Sequence, residues 1–242
     1  MNPQRDGRLG IGIIGAGKVG PVLGAALAGA GHAVVGIHAV SEKSIERAEA
    51  MLPGVPILDV PRLVEVSELV IIAVPDDQLA DLVVGIAKTT GWQPGQILLH
   101  TSAGFGTDVL IPATAQGAIP LALHPAMNFT GTSIDIARLC ECYIAVTAPT
   151  PVLPIGQALA VELGGEPLVL AEDQRPAYAR ALKRAHDFSS QLVEESLAEL
   201  STLGIDNPAK VVAPVIRSTV ENTLGQVSPT HYVYDISEEE QP

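Results

Sequence analysis

Gly15, Gly17 and Gly20 in "GIIGAGKVG" (residues 12–20) are spaced G-x-G-x-x-G, a pattern able to hold a phosphate against bare backbone. The first glycine permits a tight turn, the second lets a pyrophosphate approach the main chain, and the third lets helix and strand pack closely. The N–H groups of the loop Gly15, Ala16, Gly17, Lys18, Val19 and Gly20 would then face the anion. No G-K-[ST] follows, so this is not a P-loop. A second set of residues could supply protons: Thr101 and Ser102 in "HTSAG", and His124 and Asn128 in "LHPAMNF". Hydride arriving at a carbonyl or imine leaves negative charge that needs a proton or a donor. His124 is the leading candidate, since an unperturbed imidazole, with a pKa of roughly 6.5, shuttles protons near neutrality.

These residues become a site only if elements place them together. Short Ile/Val-rich runs predict strands near residues 10–14, 33–37, 55–58, 69–74, 96–100, 118–123, 142–147 and 166–170. Helical patterns fill the gaps, with start signals at Ser41, at Asp76 and Asp77 as N-caps, and at Thr150 before Pro151. Continuous apolar strands alternating with helices predict an α/β fold, a doubly wound, mainly parallel Rossmann sheet. In such sheets ligands bind beyond the carboxyl ends of the strands. Val74, Pro75, Thr101, Ser102 and His124 all fall at such ends. After residue 171 the strand signals stop. A long helix is expected over 176–203, its apolar stripe including Tyr178, Leu182, Phe188 and Leu192. A second opens at Pro208 with a kink at Pro214, and a third short one at Pro229. The expected organisation is a dinucleotide-binding domain over 8–171, a small all-helical substrate and dimerisation domain over 172–230, and a disordered acidic tail over 231–242.

Composition excludes several classes. A formal charge of −13 argues against nucleic acid and anionic membrane as partners. No charged residue occurs between Val19 and Ser41, but five glycines and Pro21 interrupt that run, so it reads as a buried helix and strand. The polar N-terminus lacks a secretory pattern, and a cytoplasmic chain is expected. Cys140 and Cys142 are too few for a disulfide framework and have no matching zinc ligands; they are expected to be buried free thiols, and no metal is expected.

The second strand selects the cofactor. An NAD site usually ends that strand in an acid that binds the ribose hydroxyls. Here "GIHAVSEKSIERA" has none at that point, whereas Ser41, Lys43, Ser44 and Arg47 could bind a 2′-phosphate. NADP(H) is expected over NAD(H).

Taken in order, "GIIGAGKVG", "LVIIAVPDDQLADLV", "ILLHTSAGFGTDVL" and "PLALHPAMNFTGT" resemble the Rossmann-like oxidoreductases that carry a C-terminal helical domain of unknown function. Those belong with pyrroline-5-carboxylate reductases, 6-phosphogluconate dehydrogenases and other β-hydroxyacid dehydrogenases. The resemblance spans roughly residues 8–225 and implies nicotinamide-cofactor binding and hydride transfer. "HPAMNFTGT" is also similar to the H-P-M-x-G stretch of prephenate dehydrogenases, which implies that His124 touches substrate with Ser102 assisting. Related dehydrogenases carry a catalytic Lys on the helix equivalent to 176–203, which implies that role for Lys183, with Asp187 one turn on. The chain departs from the family where Ala179, not His, follows Tyr178, and where the helical part is short and ends in an acidic tail. Two functions compete: an NADP(H)-dependent oxidoreductase acting on a small oxo, hydroxy or imino acid, and a nucleotide-binding module without turnover. A homodimer through the helical part is expected, because two or three helices cannot enclose a core.

Overall fold

The computed structural model describes residues 8–227. In chain order the elements are β1 (Gly10–Ile14), α1 (Gly20–Gly29), β2 (Ala33–His38), α2 (Glu42–Met51), α3 (Val60–Val66), β3 (Leu69–Ile72) and α4 (Asp76–Lys88). There follow β4 (Ile97–His100), α5 (Ile111–Thr114), β5 (Ile119–Pro125), α6 (Ile134–Leu139), β6 (Tyr143–Thr147), α7 (Leu153–Glu162), β7 (Glu166–Val169), α8 (Arg175–Thr202) and α9 (Pro208–Val227). The chain divides into two compact units between Lys183 and Arg184, within α8.

The first unit is a seven-stranded sheet in the order β2-β1-β3-β4-β5-β6-β7. All pairs are parallel except β5 with β6. Strands β1, β3 and β4 are buried at every residue, which is why they read as unbroken apolar runs: helices cover both faces. The strand order reverses between β1 and β3, so the crevice where a ligand would bind opens above Ile14 and Ile72. Helix α1 can approach β1 because Gly24 presents no side chain; a Cβ there would lie 2.4 Å from Ile13 Cδ1. Ser41 caps α2 through a reciprocal capping box with Ser44.

Several expectations are corrected. Residues 55–58 are not a strand but touch the sheet through one bridge, Ile57 to Ile37. Pro53, Gly54 and Pro56 crowd this run, and proline has no N–H to extend a ladder. Helix α7 begins at Leu153, three residues beyond Thr150. Asp76 and Asp77 do not cap α4 through their side chains; they occupy its first turn behind Pro75, where their charge complements the helix dipole. Both cysteines are free, but Cys140 is exposed and Cys142 half-buried, because they flank the exposed end of α6.

Helix α8 begins at Arg175 and ends before Gly204, whose φ of +74° is left-handed. Helix α9 runs through Pro214. Among the described residues of the second unit only Val212 is buried. The helix expected at Pro229 and the acidic tail lie outside the described residues. Among the described residues no helix is long and apolar enough to cross a membrane.

One loop binds the sheet's two halves. Between β5 and α6, the buried carboxylate of Asp135 accepts from the N–H groups of Thr130 and Gly131 (2.7 Å each) and from the Thr130 hydroxyl (3.0 Å). Burial alone would raise its pKa, but these bonds outweigh burial and hold it below the ordinary carboxylate range. The loop so shaped packs on the glycine loop. At Gly131 (φ +83°) a Cβ would lie 2.9 Å from Arg47 Nε and 3.1 Å from Lys18 Cα. Asp135→Ala strands the buried N–H of Gly131 and the partly buried N–H of Thr130, and we expect it to lower the unfolding free energy by about 2 kcal/mol. Urea denaturation monitored by circular dichroism checks this; a change below about 1 kcal/mol would show that water satisfies the donors instead.

Candidate active site

The glycine loop leaves β1 at the sheet's switch point. Gly15 has φ +107°, and a Cβ on it would lie 2.4 Å from the Ala73 carbonyl, so no other residue fits. A Cβ on Gly20 would lie 2.2 Å from Gly15 O. A Cβ on Gly17 would meet nothing within 4 Å. The turn and the packing therefore consume the outer two glycines, and the middle one faces open space. Helix α1 has no side-chain cap and no acid in its first turn, so its leading N–H groups remain available to an anion.

A pocket of about 460 Å³ runs from this loop across the ends of β3, β4 and β5. Gly17, Lys18, Val19, Val74, Pro75 and Thr101 line it, together with Ser102, His124 and Asp76. Gly15, Ala16 and Gly20 form the turn without lining the pocket. Ser41 and Lys43 are exposed at the end of β2, where the His38 ring meets Leu58 O at 2.9 Å and no acid stands. Arg47 is turned the other way: its guanidinium donates to Ala16 O at 3.2 Å. Asn128 is exposed and outside the pocket lining.

At the far end the donors are placed by buried neighbours. His100 closes β4 with no exposure; its Nδ1 accepts from Ser102 N–H (3.2 Å) and its Nε2–H donates to Gly106 O (2.8 Å). That folds residues 102–106 into a turn in which Ser102 Oγ accepts from the N–H groups of Gly104 and Phe105. With its lone pairs so engaged, the Ser102 hydroxyl has a proton left to donate. Glu172 ties the same turn to the segment ahead of α8, accepting from Thr107 N–H at 2.7 Å and from the Thr107 hydroxyl.

His124 sits against Tyr178, first-turn residue of α8. The Tyr178 hydroxyl lies 3.0 Å from His124 Nδ1, with the rings edge to face at 5.6 Å. Ser102 and His124 share the pocket, but no hydrogen bond joins them among the described residues, so the expected Ser102–His124 pair is replaced by His124–Tyr178. Nor does His124 titrate near neutrality: burial, then the charge of Arg175, lowers it to about 4. Burial likewise lowers His100 to about 4 and pushes Tyr178 up to about 12. Lys183 is exposed and does not line the pocket; five residues beyond Tyr178, it is turned by about 140° around the helix.

Three residues escaped the sequence. Tyr178 reads as a stripe residue, although a hydroxyl in an apolar stripe signals a partner to be found. His100 ends an otherwise apolar run, "ILLH", which is a signal of the same kind. Arg175 gave none. It is fully buried, with Nε donating to Thr147 Oγ1 (2.8 Å), NH1 to Ser102 O (3.3 Å), and NH2 to Ala122 O (3.0 Å) and Ala145 O (3.2 Å). Among the described residues no group of three or more His, Cys, Asp or Glu could hold a metal ion.

Two imidazoles held neutral in the fold but free to protonate when unfolded make stability pH-dependent. Their folded pKa values lie below the unfolded value near 6.5, so the unfolded chain binds more protons between pH 6.5 and 4. Stability is therefore full above 6.5 and falls on acidification, by up to about 3 kcal/mol per ring. Urea titrations at intervals between pH 7.5 and 4.5 check this; a flat profile would show that the rings are solvated.

The comparisons agree with this architecture. Residues 2–125 match the Rossmann-like domain family, and residues 142–231 match a domain of unknown function, DUF2520. No curated protein matches the sequence. Among solved structures, a candidate NADP oxidoreductase from Bacteroides fragilis (BF3122) is 21% identical with a TM-score of 0.73, over 90% of this chain and 81% of that one. An imine reductase from Streptomyces aurantiacus is 16% identical at TM-score 0.69, over 90% and 74% of the two chains. Pyrroline carboxylate reductase of Plasmodium falciparum, solved with NADP bound, is 13% identical at TM-score 0.66, over 91% and 80%. At such identities the likeness is one of fold. The sequence match over half the chain, with glycine loop and strand order in agreement, places this protein in the Rossmann-like domain family.

Proposed function

We propose that this chain is an NADP(H)-dependent oxidoreductase that moves a hydride to or from a small oxo, hydroxy or imino acid. The observation that carries the reading is one pocket with the glycine loop at one end and His124, Ser102 and Thr101 at the other. Phosphate-holding backbone and hydrogen-bond donors are thereby joined over the reach of a dinucleotide. The open space at Gly17 and the uncapped start of α1 suit a pyrophosphate, and the acid-free end of β2, beside Ser41 and Lys43, suits a 2′-phosphate. The fold relatives support it: the Plasmodium reductase was solved with NADP, and a Myxococcus stipitatus imine reductase variant, with NAD+.

When bound, the nicotinamide supplies or accepts the hydride; the chain's own residues manage the charge that results. An imidazole held neutral, accepting the Tyr178 O–H at Nδ1, carries its single proton on Nε2. It then acts as a neutral donor toward the developing oxyanion or amide, with Tyr178 behind it as the source that restores the proton. Ser102 adds a second donor from its turn. Val74 and Pro75 give the pocket an apolar wall.

Fluorescence titration should show NADPH binding several-fold tighter than NADH, with Lys43→Ala weakening NADPH selectively. Equal affinities overturn the cofactor assignment. A turnover screen of oxo and imino acids with NADPH tests the activity itself, and separates an enzyme from a nucleotide-binding module. On the substrate it returns, His124→Asn should lower kcat and kcat/KM together by about 10²–10⁴-fold while NADPH affinity holds. Tyr178→Phe should cost less than His124→Asn, since the donor itself remains. Full activity in His124→Asn would reduce that residue to shaping the turn before Pro125.

The second unit supports a homodimer. Phe188, Leu192, Val215 and Leu224 are each more than half exposed in the second unit, which buries only Val212 among its described residues. A second copy covers such a face at the lowest cost in symmetry. Light scattering should give twice the chain mass at micromolar concentration; a monomer rules the assembly out.

A further inference from the structure

A cation buried without a counter-ion is costly, and folds keep one only where its bonds do something neutral residues cannot. Arg175 is such a cation. It is fully buried, and no ion pair among the described residues involves it. Its donors go to four neutral acceptors on three separate segments: Ser102 O behind β4, Ala122 O on β5, and Ala145 O with Thr147 Oγ1 on β6. Each segment carries or flanks a donor of the pocket. Ser102 is itself a lining residue, and Ala122 stands two residues before His124 on β5. Ala145 is the cross-strand partner of His124. Arg175 also opens α8, so Tyr178 lies one turn along the same helix, directly above it.

We propose that Arg175 is a positioning residue that locks Ser102, His124 and Tyr178 into one constellation and acts on the reaction through them. The inference rests on the hydride-transfer reading for its effect on turnover, but not for its effect on His124. Only arginine can serve here: a planar fork with five donors spans acceptors on several strands, whereas a lysine reaches one point. The antiparallel pairing of β5 with β6 brings the Ala122 and Ala145 carbonyls within reach of the same nitrogen.

The charge has a second consequence. His124 is faced by Arg175 and Tyr178 from α8 and by His100 from β4, while Asp76 of α4 and Lys18 of the glycine loop share its pocket. After burial, Arg175 is the largest influence keeping this ring unprotonated, and His100 adds to it. The same guanidinium that fixes the ring's place therefore also helps keep it neutral, with its proton directed outward.

The test uses the full chain with Arg175→Lys, Arg175→Met and Thr147→Val. Histidine ring signals are followed by NMR through a pH titration, with His100→Asn and His124→Asn assigning them. NADPH affinity and steady-state constants are measured alongside. Arg175→Met should raise the His124 midpoint by roughly one pH unit, since a nearby like charge is gone. Arg175→Lys, which keeps charge but loses the fork, should leave that midpoint low while kcat falls about 10²-fold, the cost of a misplaced catalytic group. NADPH affinity should hold in both, because neither touches the glycine loop. Thr147→Val removes one acceptor and should give a smaller loss of kcat in the same direction, and it stands in if Arg175→Met fails to fold. A His124 midpoint unmoved in folded Arg175→Met overturns the electrostatic role. Wild-type kcat in Arg175→Lys and Thr147→Val overturns the positioning role. Should the wild-type chain turn over nothing, the hydride-transfer reading fails, while the titration still decides what Arg175 does to His124.

Discussion

The guanidinium of Arg175 is where the sheet, the long helix and the pocket are held together. Withdrawing it from water costs several kcal/mol; among the described residues no carboxylate pairs with it directly, although the nearby charge of Glu172 favours the cation. Four charge-assisted bonds to neutral oxygens offset it, each stronger than a bond between neutral partners. Those oxygens are main-chain carbonyls and one hydroxyl, which would themselves be costly to bury unpaired. Cation and acceptors thus satisfy one another, and no buried side-chain polar atom among the described residues lacks a partner. Antiparallel pairing of β5 with β6 accompanies this arrangement, with the Ala122 and Ala145 carbonyls both accepting from one nitrogen.

At the opposite end of the pocket the constraint is steric. Helix α1 lies so close to β1 that a Cβ on Gly20 would strike the Gly15 carbonyl and one on Gly24 would displace the Ile13 side chain, and the turn between strand and helix takes Gly15 into left-handed space. Close approach here presents the first N–H groups of α1 to the crevice. Gly131 continues the logic from a distant part of the chain. Held by the Asp135 carboxylate, its loop lies against Lys18 and Arg47 and gives the glycine loop a back wall. Arg47 is accordingly committed to Ala16 O, which leaves Ser41 and Lys43 as the polar groups at the end of β2.

What the sequence revealed follows from the range of the interactions concerned. Strands β1, β3 and β4 were legible because burial on both faces makes every residue apolar, and the glycine loop because its geometry is local. Ser41 was legible as a helix start because a capping box closes within four residues. The run at 55–58 misled because its composition suits a strand while Pro56 has no N–H to donate to a ladder. Cys140 and Cys142 misled because cysteine is usually buried, and here it flanks an exposed helix end. The His124–Tyr178 contact joins residues 54 apart, and the longest Arg175 bond joins residues 73 apart. No spacing rule encodes either. Arg175 is the extreme case, for three of its four partners are main-chain oxygens that any residue could supply.

The altered reading of His124 changes the chemistry more than its neighbours do. A histidine titrating near neutrality would be charged in part of the population, and in this pocket that charge would sit close to a guanidinium. Burial and Arg175 prevent it, so in the proposed reaction the ring would enter as a neutral donor. A neutral imidazole polarises a carbonyl by hydrogen bonding; when it gives up its Nε2 proton, the hydroxyl bonded to Nδ1 supplies another there, and solvent must then reprotonate that phenolate. Tyr178 is suited to that part. Its pKa is raised by burial first, with Arg175 opposing, so it keeps its proton until the ring takes it. Such a relay holds no net charge of its own before reaction. In the proposed reaction its hydrogen bonds would strengthen most as charge develops on the substrate, which is the condition for lowering a barrier rather than only tightening binding.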